Sequence, residues 1–177
     1  VTRMVQMATA NDKLQDESIA HAIWIARYST SVANRMIKIL NDSDAELTAR
    51  LLVAMDSLDA DSFTVSRLEA LLVSVRALNR EAVQSMYAGL SDELQQLAQH
   101  EAGFQLSLFQ FAIPDDVLSL HPLVGISPDA VYATAMAQPF QGRLLSEWAD
   151  NLEADRMARI SNTVRQGFLL GDTHEQI

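Results

Sequence analysis

The sequence predicts an all-α fold: an elongated helical bundle with long amphipathic helices, followed by a second, incomplete helical module. Three observations lead to this prediction. Apolar residues recur at spacings of three and four over long stretches, which is the period of an α-helix. No stretch of useful length alternates apolar and polar residues, as a half-buried β-strand would. Residues that start and stop helices occur at intervals along the chain.

The first long helix is predicted to cover at least residues 19–40, with Asn11 or Asp12 as its cap. Two apolar stripes run along it, and together they indicate packing against more than one neighbour. One stripe consists of Ile19, Ile23, Ala26, Thr30, Ala33, Ile37 and Leu40, and the other of Ile25, Val32, Met36 and Ile39. Ile23 and Ile37 are therefore candidates for contacts with a partner helix. The polar residues 41–44 are predicted to end this helix and to cap a short second helix that ends at Met55.

A third helix is predicted to open at residues 62–64 and to end at Gly89, since glycine is common just after a helix. Its apolar stripe is Leu68, Leu71, Leu72, Val75 and Leu78. Ser91 is predicted to cap a fourth helix, with acidic residues in its first turn. The stripe of the fourth helix is Leu94, Leu97, Phe104, Leu108 and Phe111. Glu101 interrupts this stripe, and Phe111 is a candidate for partner contacts.

Prolines break the helical pattern after this point, so residues 113–127 are predicted to be a linker or a surface crossing. Ser127 and Pro128 are good first residues for a short helix that ends before Pro139. The last helical region is predicted to run from about Gln141 to Leu169. The chain then divides into a helical bundle or arm (1–112), a proline-containing linker (113–127) and the start of a second helical module (128–177). That module is expected to continue beyond residue 177.

The charge distribution limits the possible partners. The chain has a net charge of -10 and no cysteine. No Lys or Arg occurs between Arg80 and Arg143, an interval with seven acidic residues. This excludes nucleic-acid binding by the whole surface. Arg156 and Arg159 lie in the least acidic part of the chain, where a local phosphate contact is possible. No apolar run approaches the roughly 18 residues that span a bilayer, so no membrane-spanning segment is predicted.

No catalytic, cofactor-binding or metal-binding residue is predicted. The four last residues, from His174, match the start of a zinc-binding HExxH motif, but Thr173 to Gln176 fits a helix-capping box better. The acidic residues at 42–46 and 59–61 lack the glycine and glutamate of a calcium loop and are interpreted as helix caps. Glu101 is either a functional carboxylate or a residue at the edge of its apolar face. Glu153 with Arg156, and Asp155 with Arg159, have the spacing of helix-surface ion pairs.

Two stretches resemble minor head proteins of tailed bacteriophages, in the head-morphogenesis family related to the F protein of phage Mu. The first contains Ala10-Asn11-Asp12-Lys13-Leu14, His21-Ala22 and Arg27-Tyr28-Ser29. The second runs from Trp148 through Arg156, Arg159-Ile160, Val164-Arg165, Gly167, Gly171 and Thr173 to Ile177. It is similar to the family pattern of a helix, a Gly-x-x-x-Gly connection and a Ser or Thr that starts the next helix. Together the two stretches cover about a third of the chain.

The resemblance implies a structural virion protein rather than an enzyme, with no cofactor. Such a protein would be made in the bacterial cytoplasm and would lie inside the capsid near the portal. There it would assist head assembly and DNA packaging or ejection through contacts with portal or other capsid proteins, with copies of itself, and locally with packaged DNA. Trp148, Arg156 and Arg159 join the three apolar candidates as interaction residues. Two alternatives stay open: an enzyme whose active part lies partly beyond residue 177, and a cytoplasmic helical adaptor.

Overall fold

The computed structural model of the protein describes residues 10–56 and 65–170. They form five α-helices, namely α1 (Ala10–Asp56), α2 (Val65–Ala112), α3 (Asp115–Leu120), α4 (Pro128–Ala137) and α5 (Leu145–Leu170). The described residues contain no β-strand beyond a single bridge between Phe140 and Arg143. The predicted all-α class is therefore confirmed. Neither described range holds a helix with the length and apolar character needed to cross a lipid bilayer.

The described residues form two compact units. The first combines residues 10–33 of α1 with residues 91–138, and the second combines residues 34–56 of α1 with residues 65–90 and 139–170. Each unit contains one part of α1 and one part of α2. This grouping by contacts differs from the division of the sequence at residues 113–127, which stays a prediction.

The predicted break in the first helix at residues 41–44 is wrong, because α1 continues without interruption to Asp56. Side-chain pairing accounts for the acidic residues at these positions. Asp42 pairs with Lys38, and Asp44 pairs with Arg156 of α5. Glu46 pairs with Arg50 one turn further along α1. These acids are therefore ion-pair partners on a continuous helix and not helix caps. Asn11 and Asp12 likewise lie within α1. The second acidic group, residues 59–61, lies outside the described residues.

The predicted break at Gly89 and Ser91 is also wrong, because α2 is continuous from Val65 to Ala112. A glycine inside a helix costs about 1 kcal/mol relative to alanine. Gly89 packs against Met36 of α1, where an added Cβ would lie 3.4 Å from Cε, an ordinary van der Waals distance. The proposed opening of this helix at residues 62–64 lies outside the described residues.

The structure of the segment after α2 agrees in part with the prediction from the sequence. Residues 113–127 contain the short helix α3 as well as irregular chain, and α4 begins at Pro128 after Ser127, as predicted. The last helix begins at Leu145 rather than near Gln141. Gln141 and Gly142 have φ angles of 49° and 80°, which a right-handed helix does not allow. They form a tight turn closed by hydrogen bonds between Phe140 and Arg143.

The core of the second unit lies between three helices. Its buried cluster contains Leu47 of α1, Leu72 and Val75 of α2, and Met157 and Val164 of α5. Leu51, Leu71, Leu78 and Ile160 pack around this cluster. Asn79 lies among these helices with 0% exposure, and its Nδ2 donates a hydrogen bond to the backbone oxygen of Glu153 at 2.9 Å. This bond links α2 directly to α5 within the unit.

Candidate functional site

A layer of aromatic and histidine rings lies between α1 and α2 in the first unit. The ring of His21 stacks on Phe104 with centroids 3.7 Å apart, and Trp24 stacks on His100 at 3.9 Å. His21 comes before Trp24 on α1, but its stacking partner Phe104 comes after His100, the partner of Trp24, on α2. The two helices are therefore antiparallel here. Because His21, Trp24 and Tyr28 recur at helical spacing, they present one face of α1 to α2.

Tyr28 ends this layer with hydrogen bonds to α2. Its hydroxyl lies 2.7 Å from Oε2 and 2.9 Å from the backbone oxygen of Glu93, and it donates to this pair of acceptors. A tyrosine hydroxyl within a helix interface usually finds such an acceptor, because its polar end would otherwise lose its hydrogen bond with water. The bond fixes the register between α1 and α2 at this level.

We expect the substitution Tyr28→Phe to lower the free energy of unfolding by about 1 kcal/mol, since it removes the hydroxyl and leaves the ring in place. Chemical denaturation followed by circular dichroism measures the change. Tyr132→Phe is the matched control, because the Tyr132 hydroxyl makes no hydrogen bond with the described residues. Equal effects of the two substitutions would show that the contact with Glu93 does not stabilise the first unit.

His21 and Glu101 meet in the middle of the same layer. Nε2 of His21 lies 2.8 Å from Oε1 of Glu101, and the two side chains are 10% and 23% exposed. Both atoms are buried, and apart from this contact neither has a polar partner among the described residues. His100 is next to Glu101 in the chain and is exposed. The ligand atoms of His21, His100 and Glu101 all lie within 4.8 Å of one another. Imidazole nitrogens and a carboxylate oxygen at this spacing can hold a proton or a metal cation.

An apolar groove borders the ring layer in the first unit, and Glu101 belongs to both. It has a volume of about 380 Å³ and is lined mainly by Leu106, Phe109, Leu123, Val124, Gly125 and Ile126. Phe109, Leu123, Val124 and Ile126 are all exposed, and Val124 reaches 92%. Gly125 allows a close approach to α2, since a Cβ there would lie 3.2 Å from Cδ2 of Leu106. We call this feature the apolar groove. It can accept an apolar segment of another protein.

A second concave feature, in the second unit, is polar. A cleft of about 500 Å³ between α2 and α5 is lined by residues that include Arg76, Arg80, Arg165 and Glu153. Nε of Arg80 lies 3.1 Å from Oε1 of Glu153, so that one arginine is paired. We call this feature the arginine cleft. Its three guanidinium groups outnumber its one carboxylate, and guanidinium groups bind phosphate or carboxylate groups well.

The structure places the six interaction candidates in different surroundings. Ile23, Ile37, Phe111 and Arg159 are exposed. Trp148 is half-buried, donates from Nε1 to the backbone oxygen of Phe140 at 3.1 Å, and has the guanidinium of Arg143 over its ring. Arg156 is mostly buried and paired with Asp44. The pairing of Glu153 with Arg156 predicted from their spacing is wrong, because Glu153 pairs with Arg80 and Arg156 with Asp44. The zinc motif considered at His174 lies outside the described residues.

Sequence patterns alone did not single out His21 with His100 and Glu101. The three residues belong to two distant parts of the chain, and only the antiparallel register of α1 and α2 brings them together. One signal was present in the sequence. Glu101 interrupts an apolar stripe, and a charged residue on a packed helix face usually has a partner. The sequence patterns did not predict the arginine cleft for the same reason. Arg165 of α5 is far along the chain from Arg76 and Arg80 of α2, and only helix packing brings them together.

Comparisons with known protein families, with curated proteins and with solved structures found no match to this chain.

Proposed function

We propose that the chain is a structural protein of a tailed-phage particle that lies inside the capsid near the portal. In this proposal it assists head assembly and DNA packaging or ejection through protein–protein contacts and does not act as an enzyme. The resemblance to minor head proteins supports the location. The apolar groove is the observation that supports the proposed mode of action. Exposed apolar residues around a concavity are typical of surfaces that bind another protein.

The charges around the groove indicate what kind of partner fits. Glu101 lines it, and Asp115, Asp116 and Asp129 belong to the same unit. No Lys or Arg occurs between Arg80 and Arg143, so no positive side chain from this part of the chain balances them. A second copy would bring further negative charge to this surface. The occupant we propose is therefore an apolar segment flanked by lysine or arginine, from the portal or another head protein. The ring of Phe109 would be its main apolar anchor.

Association between copies of the chain is a separate part of the proposal. Ile19 and Ile23 are exposed on α1 in the first unit, and Ile37 is exposed on α1 in the second. Isoleucines at helical spacing on an open face favour pairing with another helix. Light scattering over a range of concentrations tests this part. The mass of a single chain at every concentration would remove it and leave the proposal for the groove intact.

A local contact with packaged DNA belongs to the same proposal, and the arginine cleft is where phosphates would bind. The remainder of the surface is unsuited to DNA, because the chain carries a net charge of -10. Ultraviolet cross-linking of intact particles, followed by mass spectrometry, tests the contact. Cross-linked peptides should come from α2 and α5 around Arg76 and Arg165. Their absence from particles that do contain the chain would remove the DNA contact alone.

The location is tested on intact particles of the source virus. We expect mass spectrometry to detect peptides of this chain in purified particles. Cryo-electron microscopy with symmetry relaxed at one fivefold vertex should show its long helices close to the portal. Particles without peptides and without such density would overturn the virion proposal and leave the enzyme or adaptor alternatives.

The substitution Val124→Glu should reduce the number of copies incorporated per particle by at least about tenfold, because an unpaired charge would be buried in the contact. Quantitative mass spectrometry of particles complemented with the variant measures this number. Folding is not at risk, since Val124 is 92% exposed. Val53→Glu is the matched control, because Val53 is 71% exposed and belongs to the second unit. Equal incorporation of both variants would show that the apolar groove is not the contact.

A further inference from the structure

We infer that His21, His100 and Glu101 form a binding site for a divalent transition-metal cation, with Zn²⁺ as the ion that fits best. The inference goes beyond the structural role proposed above and does not depend on it. It rests on the arrangement of three side chains between α1 and α2 in the first unit. Their ligand atoms lie within 4.8 Å of one another.

Burial at the centre of the cluster is the first argument. Nε2 of His21 and Oε1 of Glu101 are shielded from solvent, and apart from their contact with each other at 2.8 Å neither atom has a polar partner among the described residues. Burial is unfavourable for both atoms unless they have partners of good geometry, and more so when an atom is charged. Their short distance places a nitrogen ligand and an oxygen ligand side by side. A cation bound by both would satisfy both at once.

The surrounding rings hold the ligands in position. Phe104 stacks on His21 at 3.7 Å, and Trp24 stacks on His100 at 3.9 Å. The plane of each imidazole is therefore restricted by an aromatic neighbour from the opposite helix. Ligands whose orientation is fixed before binding lose less conformational entropy when the metal binds. Glu101 lies one residue after His100 on α2, so both ligands from α2 arrive at the same level of the helix pair.

The donor set selects the class of metal. Two imidazole nitrogens and one carboxylate oxygen form a combination that zinc uses, with bonds of about 2.0 to 2.2 Å. Such bonds place tetrahedral ligand atoms about 3.4 Å apart, so binding requires the 2.8 Å pair to open slightly. The ligand atom of His100 already lies within 4.8 Å of the other two, so only a small shift brings it to this spacing. Three protein ligands leave one position for water, because the exposed side of the cluster faces solvent.

A bound ion would also connect the two helices. His21 belongs to α1, whereas His100 and Glu101 belong to α2. A metal that bridges them would stabilise the first unit at the register set by the ring layer, because binding occurs only when the two helices are paired. The alternative interpretation of the same geometry is an ion pair between His21 and Glu101 alone. The two interpretations make different predictions. Only the metal site binds zinc, and only the metal site needs His100 as a ligand.

The test is titration of Zn²⁺ into the complete chain, prepared without a histidine tag, by isothermal titration calorimetry. We expect His21→Gln, His100→Gln and Glu101→Gln each to weaken zinc binding by at least about tenfold, since even residues that only orient metal ligands contribute 10- to 100-fold. His100 is exposed, so the His100→Gln variant should fold normally. This variant therefore keeps the test decisive if another variant does not fold. Circular dichroism verifies the helical content of every variant.

Two matched controls separate this site from other histidines. His121→Gln changes an exposed histidine of the first unit outside the cluster, and His174→Gln changes the histidine of the motif at the end of the sequence. Both should bind zinc as the unchanged chain does. Replacement of zinc by Co²⁺ should give visible absorption bands that disappear in His100→Gln. No zinc binding by the unchanged chain, or full affinity in the three cluster variants, would overturn the inference in favour of the simple ion pair.

Discussion

The substitution Asn79→Asp should destabilise the protein by about 3 kcal/mol or more, the largest effect that we expect from a single polar change. Asn79 has 0% exposure, and its Nδ2 donates to the backbone oxygen of Glu153. The substitution replaces this donor by an oxygen, so two acceptors would face each other. It also introduces a carboxyl group where no water can solvate it. Thermal unfolding followed by circular dichroism should show a midpoint lower by about 6 to 12 °C.

Asn151→Asp is the matched control for this change. Asn151 is exposed on α5, and its Nδ2 donates to the backbone oxygen of Glu147, one turn earlier in the same helix. The chemical change is identical, but water can solvate the new carboxylate, so we expect an effect of about 0.5 kcal/mol or less. If both substitutions changed the midpoint equally, Asn79 would not be the buried link between α2 and α5 that we describe.

The second large effect is expected from Leu47→Ala, which should lower the free energy of unfolding by about 2 to 5 kcal/mol. Leu47 is 4% exposed and belongs to the buried cluster with Val75 and Met157. Removing its side chain takes away apolar contacts with two other helices and leaves a cavity that they fill only in part. Denaturation with urea, analysed by linear extrapolation, measures the loss.

Leu52→Ala provides a control of the same residue type on the same helix. Leu52 is 37% exposed, against 4% for Leu47, so its removal costs less apolar burial and leaves a space that is open to solvent. We expect a loss below about 1 kcal/mol. A loss for Leu52→Ala as large as that for Leu47→Ala would contradict the three-helix core of the second unit.

The apolar period of α1 shows how far sequence patterns can predict packing. They predict a helix with two stripes, and the structure confirms the helix. They do not decide which stripe is covered. Val32 of the second stripe is buried, and Ile25, Met36 and Ile39 are half-buried, whereas Ile19, Ile23 and Ile37 of the first stripe are exposed. Both stripes are apolar, so the period alone does not tell which one faces the neighbouring helices.

The helix boundaries illustrate the limit of local signals. Residues 41–44 and Gly89 favour a helix end by intrinsic preference, yet α1 and α2 run through them. Such preferences amount to about 1 kcal/mol per residue or less. Packing between helices outweighs such preferences, and the pairing of Asp44 with Arg156 acts at one of these positions. By contrast, Pro128 marks the start of α4 correctly, because its ring fixes φ wherever it lies in the fold.

The sequence by itself determined the all-α class, the start of α4 and the acidic character. These follow from residue periodicity, proline geometry and composition, which act over one or two helical turns. Only the tertiary structure decided that His21 meets Glu101, that Arg165 joins Arg76 and Arg80, and that Asn79 is bonded to Glu153. Each of these contacts joins residues far apart in the chain, and their register depends on how all the side chains between two helices pack together. No local pattern encodes that register, because many alignments of two amphipathic helices bury similar apolar area.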